Sequence, residues 1–438
     1  MPSPVRWFRT PTLLFIIILL VIGTSGCKLF ETDSNQSESP PRVSAPANLF
    51  NVPGQMIHNP DIHSIQLHRS GRAGSPAIIQ LGSRDKLTLS FELLEFESRQ
   101  FTIHFTHHNA DWSRSSLPPE FFMDGFYSIN LSPGSVSRTQ RPRYRQYNFE
   151  FPNDQFSFTR SGNYMLRVED KDTGFTVFSL PFFVYENEGS VASRVEQVGV
   201  RRNLRRTHRP ISLFDLPDFV DQPQFDLKFY YTQNQFWGRS RRANELDFSD
   251  PNEVQFELSS ANAFIGDYEF LTLRIRDLSQ QNPQIFGVDP DQIPPRITLS
   301  DDAQGFSSTG PLSNSNRFGL PNLSLNAEYA NVQFIFDPDI GVAAGSDIYL
   351  VGDFTNWAIQ PDNKLEYRSD MDRWITSSVV KQGFYNYKYV LVSDDDINDL
   401  AFDDLFARGR QEYHAMVYMR DNQQFYDRLL QVNQFFSQ

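Results

Sequence analysis

The stretch "FTIHFTHHNADW", residues 101–112, decides the fold class because its apolar residues recur at every second position. Phe101, Ile103, Phe105 and His107 would share one face of an extended chain, and Thr and His residues would occupy the other face. A period of two is typical of a β-strand with one buried side. The stretch therefore predicts a strand whose apolar face contributes to a core.

The same rhythm extends in both directions from this strand. Short runs such as "KLTLSFELLE" precede it, and residues 159–186 predict a closing hairpin whose turn lies at residues 171–174. The runs are separated by turn residues, and we find no amphipathic helix between them. Strands of this length and spacing are typical of an antiparallel sandwich of immunoglobulin-like (Ig-like) size.

The fold class that follows is all-β, with three consecutive Ig-like antiparallel β-sandwich domains. A polar segment at 187–194 marks the first boundary, and the run "NAEYANVQFIFD" opens a third set of strands. The long stretch between them that is rich in Pro, Ser and Asn predicts extended loops in the second domain. The expected domains are residues 58–187, residues 190–325 and residues 326–438.

The N-terminus predicts export. Two arginines precede the apolar run "LLFIIILLVI", which is too short to span a bilayer as a helix, and small residues follow it. We therefore expect a signal peptide at residues 1–26. Cys27 stands where a bacterial lipoprotein signal would be cut, which predicts lipidation of its thiol, with residues 27–57 as a flexible tether. A plain secretory signal with an incidental Cys27 is the alternative.

Composition limits how the chain is stabilised and what it binds. Cys27 is the only cysteine, so the domains have no internal disulfide and must be held by burial, for which 40 Phe and 17 Tyr provide material. The formal net charge is −13, which does not favour a nucleic-acid partner.

Motifs for catalysis or metal binding are not apparent. His104 and His108 would share a strand face but lie about 13 Å apart at roughly 3.3 Å per residue, too far for one ion. The acidic segment 393–404 lacks the glycine and terminal glutamate of a calcium loop. The chain also lacks a G-x-S-x-G motif and a phosphate-binding loop. We therefore expect no enzyme, no metal, no cofactor and no small-molecule substrate.

Arginine clusters stand out against the acidic whole. They can be solvated faces, as most charge runs are, or they can bind carboxylate or phosphate groups of a protein or lipid surface through the planar guanidinium. The candidate partner-binding residues are Arg141, Arg143, Arg145, Arg201, Arg202, Arg205, Arg206 and Arg209.

The run "VGDFTNW", residues 351–357, resembles the first hairpin of glycogen-binding β-sandwich modules, which are early-set Ig-like domains. Trp357 and Lys388 stand at positions that resemble ligand positions of that family. Where the family has a second tryptophan, this chain has the acidic stretch 392–399, which cannot stack on a sugar. Trp357 would then pack at the edge of the sandwich, or, in the alternative, Trp357 and Lys388 bind a glycan.

Three stretches together resemble the plug family of the type IX secretion system. The first is "THHNADWSRSSLPPEFFMDGFYSINL" (residues 106–131), the second is "GDYEFLTLRIRDL" (266–278), and the third includes "FYDRLLQV" (425–432). One departure is that the H-C pair of the family signature appears here as two histidines. The motif residues are His107, His108, Asp111, Trp112, Asp124, Gly125 and Phe126.

This resemblance implies a function without catalysis. It implies a periplasmic, β-rich protein that binds the periplasmic mouth of the giant type IX translocon barrel in the outer membrane, of the SprA type, and closes it at rest. With Cys27, we expect the protein to be anchored to the outer membrane as a lipoprotein. The alternative is a surface or periplasmic glycan-binding lipoprotein that uses the C-terminal sandwich.

Overall fold

Alternating apolar residues build the first sandwich around a core rich in phenylalanine. In this computed structural model its helix is α1 (Pro119–Phe122). Its strands are β1 (Ile62–Arg69), β2 (Ile78–Gln80), β3 (Leu87–Leu93), β4 (Phe101–His108), β5 (Met123–Gly125), β6 (Ser128–Asn130), β7 (Ser135–Val136), β8 (Arg145–Phe151), β9 (Phe156–Phe158), β10 (Gly162–Asp170) and β11 (Thr176–Tyr185).

Two sheets enclose that core, one in the order β1-β3-β8-β7 and one in the order β2-β11-β10-β4-β6. Phe101, Ile103, Phe105 and His107 of β4 are all buried, so the predicted facing of this strand is confirmed. The predicted closing hairpin is also present, since β10 and β11 pair in antiparallel register. Strand β1 lies at a sheet edge and pairs only with β3 among the described strands.

The chain continues into a second sandwich. Its helix is α2 (Pro223–Asp226). The strands that follow in sequence are β12 (Ser190–Val200), β13 (Arg206–Asp215), β14 (Leu227–Gln233), β15 (Arg241–Arg242), β16 (Glu245–Asp247), β17 (Glu253–Glu257) and β18 (Phe264–Ile265).

A third set of strands comes next, and two long strands end the chain. The third set is β19 (Leu271–Arg274), β20 (Ile285–Asp289), β21 (Arg296–Leu299), β22 (Asp302–Ala303), β23 (Leu320–Pro321), β24 (Tyr329–Asp337), β25 (Ser346–Gly352), β26 (Glu366–Arg368), β27 (Arg373–Lys381), β28 (Gly383–Ser393) and β29 (Asp396–Asn398). The last two are β30 (Glu412–Asp421) and β31 (Tyr426–Phe436). Short 3-10 helices lie at Trp237–Arg239, Ser260–Asn262, Asp353–Thr355 and Pro361–Asn363.

Strand pairing divides the chain differently from the expected ranges 190–325 and 326–438. Strand β30 pairs with β14 and with β31, which gives the sheet β15-β14-β30-β31 of the second sandwich. Strand β19 pairs with β28, and β21 pairs with β24, so both belong to the third sandwich. The third sandwich is therefore inserted into the second rather than following it, and the three sandwiches are not consecutive.

The structure describes residues 49–57, 60–95, 97–200, 206–266, 268–303, 320–321, 323–338, 340–393, 396–403 and 410–437. The expected signal peptide and Cys27 lie outside these residues. Residues 49–57, expected at the end of the tether, are instead packed against the sandwiches. Phe50 is buried in a cluster with Phe236 and Trp357, and Val52 is buried in a second apolar cluster. Within the described ranges, no helix has the length and apolar character needed to cross a bilayer.

Candidate functional site

The first motif residue, His107, is a buried ring at the end of β4. Its Nε2 lies 2.9 Å from the carbonyl oxygen of Ser161, and its Nδ1 lies 3.0 Å from Ser115 Oγ. Because a carbonyl only accepts, Nε2 carries the proton and Nδ1 accepts from the serine hydroxyl. Burial lowers the pKa of His107 to about 4. The ring is therefore neutral at pH 7 and tied to two other segments of the first sandwich.

The next motif residues form a tight loop after β4. Trp112 has a φ of +66°, and its amide donates to the carbonyl of Asn109 at 2.9 Å. The carboxylate of Asp111 accepts from the amide of Ser113 at 2.9 Å. His108 Nδ1 donates to the Trp112 carbonyl at 2.9 Å, and burial lowers the pKa of His108. These bonds fix the backbone of residues 109–113 in one shape.

That loop contacts the C-terminal hairpin, which consists of β30 and β31, through Asp427 of β31. The buried Asp427 carboxylate accepts from the Ala110 amide at 3.1 Å and from Lys228 Nζ at 2.8 Å, with Arg420 at 3.2 Å. Asn109 Oδ1 in turn accepts from the Asp427 amide at 3.2 Å. A buried carboxylate requires such partners because its desolvation is costly. We call this contact between the motif loop 107–113 and β31 the first joint.

A second row of contacts extends the first joint. Glu186 accepts from Ser161 Oγ at 2.6 Å and from Arg428 Nε at 2.9 Å, and its amide donates to the Leu429 carbonyl. Gly162 has a φ of +142°, and a β-carbon there would lie 2.4 Å from His107 Nε2. Only glycine allows this close approach without displacing the ring. The family motif therefore holds the first sandwich against the second.

The other half of the motif presents an aromatic side chain to solvent. Gly125 in β5 has a φ of +106°, and a β-carbon there would lie 2.2 Å from the Gln155 carbonyl oxygen, so the turn requires glycine. Asp124 is exposed, and Phe126 has 66% of its surface exposed. Phe121 and Tyr127 are also exposed. Exposed large apolar side chains close together in sequence are typical of interaction sites.

The arginine candidates lie in different environments. Arg141 and Arg143 are exposed, and Arg141 donates to the Pro290 carbonyl at 3.3 Å. Arg145 is half-buried and donates to the Gly134 carbonyl at 3.2 Å. Arg209 pairs with Glu196 at 2.6 Å, which occupies part of its guanidinium. Arg206 opens β13, whereas Arg201, Arg202 and Arg205 lie outside the described residues.

The two residues of the alternative sugar-binding site, Trp357 and Lys388, are not at the surface. Trp357 has 6% of its surface exposed, and its ring packs against those of Phe50, Phe236 and Phe270 with centroids 5.0–5.7 Å apart. Lys388 is buried and pairs with Asp403 at 2.8 Å. The alternative, in which these two side chains offer a sugar-binding face, is therefore not favoured, because remote segments cover the tryptophan and the lysine is already paired.

The sequence analysis did not predict the buried ion pairs that connect the sandwiches. Lys381 of β27 pairs with Glu92 of β3 at 2.6 Å, and Tyr329 donates to the same carboxylate at 2.5 Å. Arg239 of the second sandwich pairs with Asp399 beyond β29 at 2.6 Å. A signal was available, since Lys381 stands among the apolar residues of a strand, where a charge requires a partner. Among the residues in the described ranges, no cluster of His, Cys, Asp or Glu could hold a metal ion.

Comparison with protein families identifies the first sandwich. Residues 62–186 match the family model described as "Type 9 secretion system plug protein 1st domain". The first sandwich of this chain matches the first domain of the type 9 secretion system plug family. The motif residues at the first joint all lie within the matched range, so the resemblance to the plug family is confirmed there. The match supports a role in type 9 secretion and a place in the cell envelope.

One solved structure shares the fold of this chain over most of its length. A crystal structure of a hypothetical protein from Parabacteroides merdae is similar, with a TM-score of 0.79 and 21% identity, over 87% of this chain and 99% of that one. The C-terminal domain of the AgI/II polypeptide BspA from Streptococcus agalactiae covers 85% of this chain and 99% of its own, at a TM-score of 0.18 and 8% identity. Comparison with curated proteins gives no match.

Proposed function

We propose that the protein is a non-enzymatic plug that binds the periplasmic mouth of the type IX translocon barrel in the outer membrane and closes it at rest. The observation that carries this proposal is the first joint, in which residues of the plug-family motif clamp the first sandwich to the second. The family match over residues 62–186 supports the assignment to the secretion system. Anchoring through lipidated Cys27 is part of the proposal.

A plug must resist deformation, and the contacts between sandwiches favour a rigid body. The first joint connects the first and second sandwiches, Lys381–Glu92 connects the first and third, and Arg239–Asp399 connects the second and third. Each pair is largely buried, so a separation of the sandwiches would expose charged groups that have lost their partners. A body of this kind can cover a wide barrel mouth through one extensive interface.

Two exposed features provide a docking surface for this proposal. Phe126, Phe121 and Tyr127 offer exposed apolar area, and large aromatic side chains are the kind of residue that anchors interfaces. Arg141 and Arg143 offer exposed guanidinium groups in an otherwise acidic chain. We expect the aromatic side chains to determine how tightly the barrel is bound. Rim arginines mainly affect the rate of association and its salt dependence.

The test combines a deletion strain with a matched pair of variants. Deleting the protein should raise outer-membrane permeability to large, normally excluded antibiotics while some type IX export continues, because the pore remains and its seal is lost. Phe126→Ser should reduce recovery of the barrel by affinity isolation in mild detergent. Phe286→Ser, with 78% of its surface exposed in the third sandwich, is the control and should leave recovery unchanged.

Contrary results are equally specific. An unchanged permeability in the deletion strain, together with no large barrel protein in the isolated material, would remove the plug function. Equal losses for Phe126→Ser and Phe286→Ser would keep the function but reject the assignment of the docking face.

A further inference from the structure

Four exposed phenylalanine side chains lie around the turn of the C-terminal hairpin. Phe225 of α2 has 75% of its surface exposed, and Phe425 in the turn has 63%. Phe121 of α1 and Phe219, which precedes α2, are also exposed. We call these four residues the tip patch. Single exposed apolar residues are common on proteins, so the patch is informative only because its members belong to one region.

Hydrogen bonds connect the hairpin turn to the first sandwich. Arg160 Nε donates to Gln424 Oε1 at 3.0 Å, and Gln424 directly precedes Phe425. The neighbour of this arginine, Thr159, donates through Oγ1 to the carbonyl of Phe121 at 2.9 Å. Two consecutive residues of the first sandwich therefore bring the Phe121 segment and the Phe425 turn to the same place.

The opposite side of the turn contacts the second sandwich. Asn422 Nδ2 donates to the carboxylate of Asp226 at 3.4 Å, and Asp226 directly follows Phe225. The guanidinium of Arg428, in β31, lies 5.2 Å from the centre of the Phe219 ring. The tip patch therefore includes the first sandwich, the C-terminal hairpin and the second sandwich.

The backbone of Phe425 is in an unfavourable conformation. Its φ is +58°, in the left-handed region where a β-carbon is disfavoured and glycine is usual. The turn is fixed by Asp421, whose carbonyl accepts from the Phe425 amide at 2.8 Å. Trp112 and Trp357 also have a positive φ, but their rings are buried, so packing offsets the strain. The exposed Phe425 ring has no such compensation, and strain of this kind is typical of functional positions.

The charge around the tip patch is negative. Arg428 is neutralised by Glu186 at this position, and Arg160 bonds only to neutral oxygens. Four exposed carboxylates lie within three positions of a patch residue, and within the described ranges none forms an ion pair: Glu120, Asp124, Asp218 and Asp221. Carboxylates without a partner therefore outnumber guanidinium groups without one at this surface.

This charge discriminates among the possible occupants of the patch. A second copy of the chain would place carboxylates opposite carboxylates, which is costly at an interface. An anionic lipid surface attracts basic segments, so it would repel this one. A protein segment that carries apolar side chains between Lys or Arg residues matches both the apolar area and the charge.

We propose that the tip patch binds an apolar, positively charged segment at the periplasmic rim of the translocon barrel, with Phe225 and Phe425 as its anchors. This inference rests on the proposed plug function and specifies the chemistry of the partner surface. It extends the docking surface from Phe126 and Phe121 to the second sandwich. The barrel would then contact both sides of the first joint at once.

Binding of the full chain to the detergent-solubilised barrel tests the anchors. Phe225→Ser and Phe425→Gly should each weaken binding at least about tenfold, because central aromatic anchors contribute that much to an interface. Phe286→Ser, exposed in the third sandwich, is the control and should bind as the unaltered chain does. Glycine adopts a positive φ without strain, so Phe425→Gly should not lower the melting temperature. A lowered melting temperature would show that the ring supports the fold instead, which would reject Phe425 as an anchor.

A charge reversal tests the chemistry of the partner. Binding by the unaltered chain should weaken as salt is raised, since opposite charges are screened. Asp218→Lys should slow association and reduce this salt dependence. Glu366→Lys, at an exposed position of β26 in the third sandwich, is the matched control and should change neither. Equal effects of the two reversals would overturn the basic partner.

The remaining outcomes separate this inference from the plug function. If the unaltered chain recovers no barrel, the plug function and the partner proposed for the patch are both overturned. If Phe126→Ser loses the barrel while Phe225→Ser and Phe425→Gly retain it, the plug function stands and the tip patch is rejected. Binding to vesicles of phosphatidylethanolamine and phosphatidylglycerol that Phe425→Gly abolishes would assign the patch to a lipid surface. A dimer in sedimentation that Phe425→Gly abolishes would assign it to a second copy, and either result overturns the proposal.

Discussion

At the scale of single residues, His107 makes the first joint sensitive to pH. The folded protein lowers the pKa of His107 to about 4 because the buried ring disfavours a charge, whereas the unfolded chain has the ordinary value of 6.5. The neutral, hydrogen-bonded His107 ring therefore makes its full contribution to the free energy of unfolding above pH 6.5, and this contribution is lost as the pH falls toward 4. The expected loss is about 3 kcal/mol of unfolding free energy between pH 7 and pH 4.

The variant His107→Phe tests this contribution. We expect it to lose about 1–2 kcal/mol at pH 7, since the bonds to Ser115 and Ser161 are removed, but to depend less on pH than the unaltered chain between 6.5 and 4. Urea unfolding at pH 7 and pH 4.5 measures both effects. His104→Phe, at a half-exposed position on the same strand, is the control and should keep the original dependence. Parallel pH curves for the unaltered chain and His107→Phe would contradict the account.

At the scale of elements, the second sandwich needs strands from the end of the chain. Strands β30 and β31 supply half of the sheet β15-β14-β30-β31, and Tyr413, Val417 and Leu430 lie in its core. A fragment that ends at residue 325 lacks these strands, so it leaves an apolar sheet face uncovered. Sheets with one bare apolar face and an unpaired strand are not stable in water.

We therefore predict that a fragment of residues 49–325 contains only one folded sandwich. Limited proteolysis should leave a resistant core that ends near residue 187, while the full chain resists cleavage through β31. Mass spectrometry of the products identifies the end points. A fragment that stays resistant through residues 190–265 would show that the second sandwich folds without β30 and β31.

Local patterns predicted the strands and the hairpin of β10 and β11, but not the partners that lie far apart in sequence. The period of two at residues 101–108 and the turn at 171–174 are properties of neighbouring residues, and both were read correctly from the sequence. The pairing of β14 with β30 joins residues that are 180 to 192 positions apart, from Gln233 with Tyr413 to Leu227 with Met419, and nothing in either strand specifies the other. The same limit applies to Trp357, because Phe50 and Phe236, which cover its ring, lie far away in sequence. The motif loop and the stretch 425–432, which contains Asp427, were both found through the family resemblance, but the contact between them was not.

At the scale of the whole molecule, the buried pair of Lys381 and Glu92 holds the first sandwich to the third. Burial lowers the pKa of Lys381, and its ammonium lies 4.5 Å from the centre of the Tyr144 ring. Gln146 Nε2 also donates to Glu92 at 2.9 Å. A charge surrounded in this way depends on every partner, since removal of one leaves the other uncompensated.

Lys381→Met should therefore cost about 3–5 kcal/mol of unfolding free energy, measured by urea titration. Glu92→Gln combined with Lys381→Met should recover most of that loss, since no unpaired charge remains. Lys364→Met is the matched control, because Lys364 and Asp347 form a similar pair at 2.8 Å on the surface, and its loss should stay within about 1 kcal/mol. A cost equal to that of the control would show that the pair does not hold the sandwiches together.

The insertion of the third sandwich also sets an order of events in time. A chain that appears N-terminus first can complete the sandwich of residues 62–185 early, and it can pair β12 with β13 soon afterwards. Strand β14 must wait for β30, so the middle of the molecule cannot finish folding until almost the last residue is available. Because contacts between distant residues also form slowly, this interval exposes an unpaired apolar sheet. The first sandwich therefore folds first, and the second can be completed only after β30 and β31 have been synthesised. Until then the exposed apolar sheet makes the chain prone to aggregation.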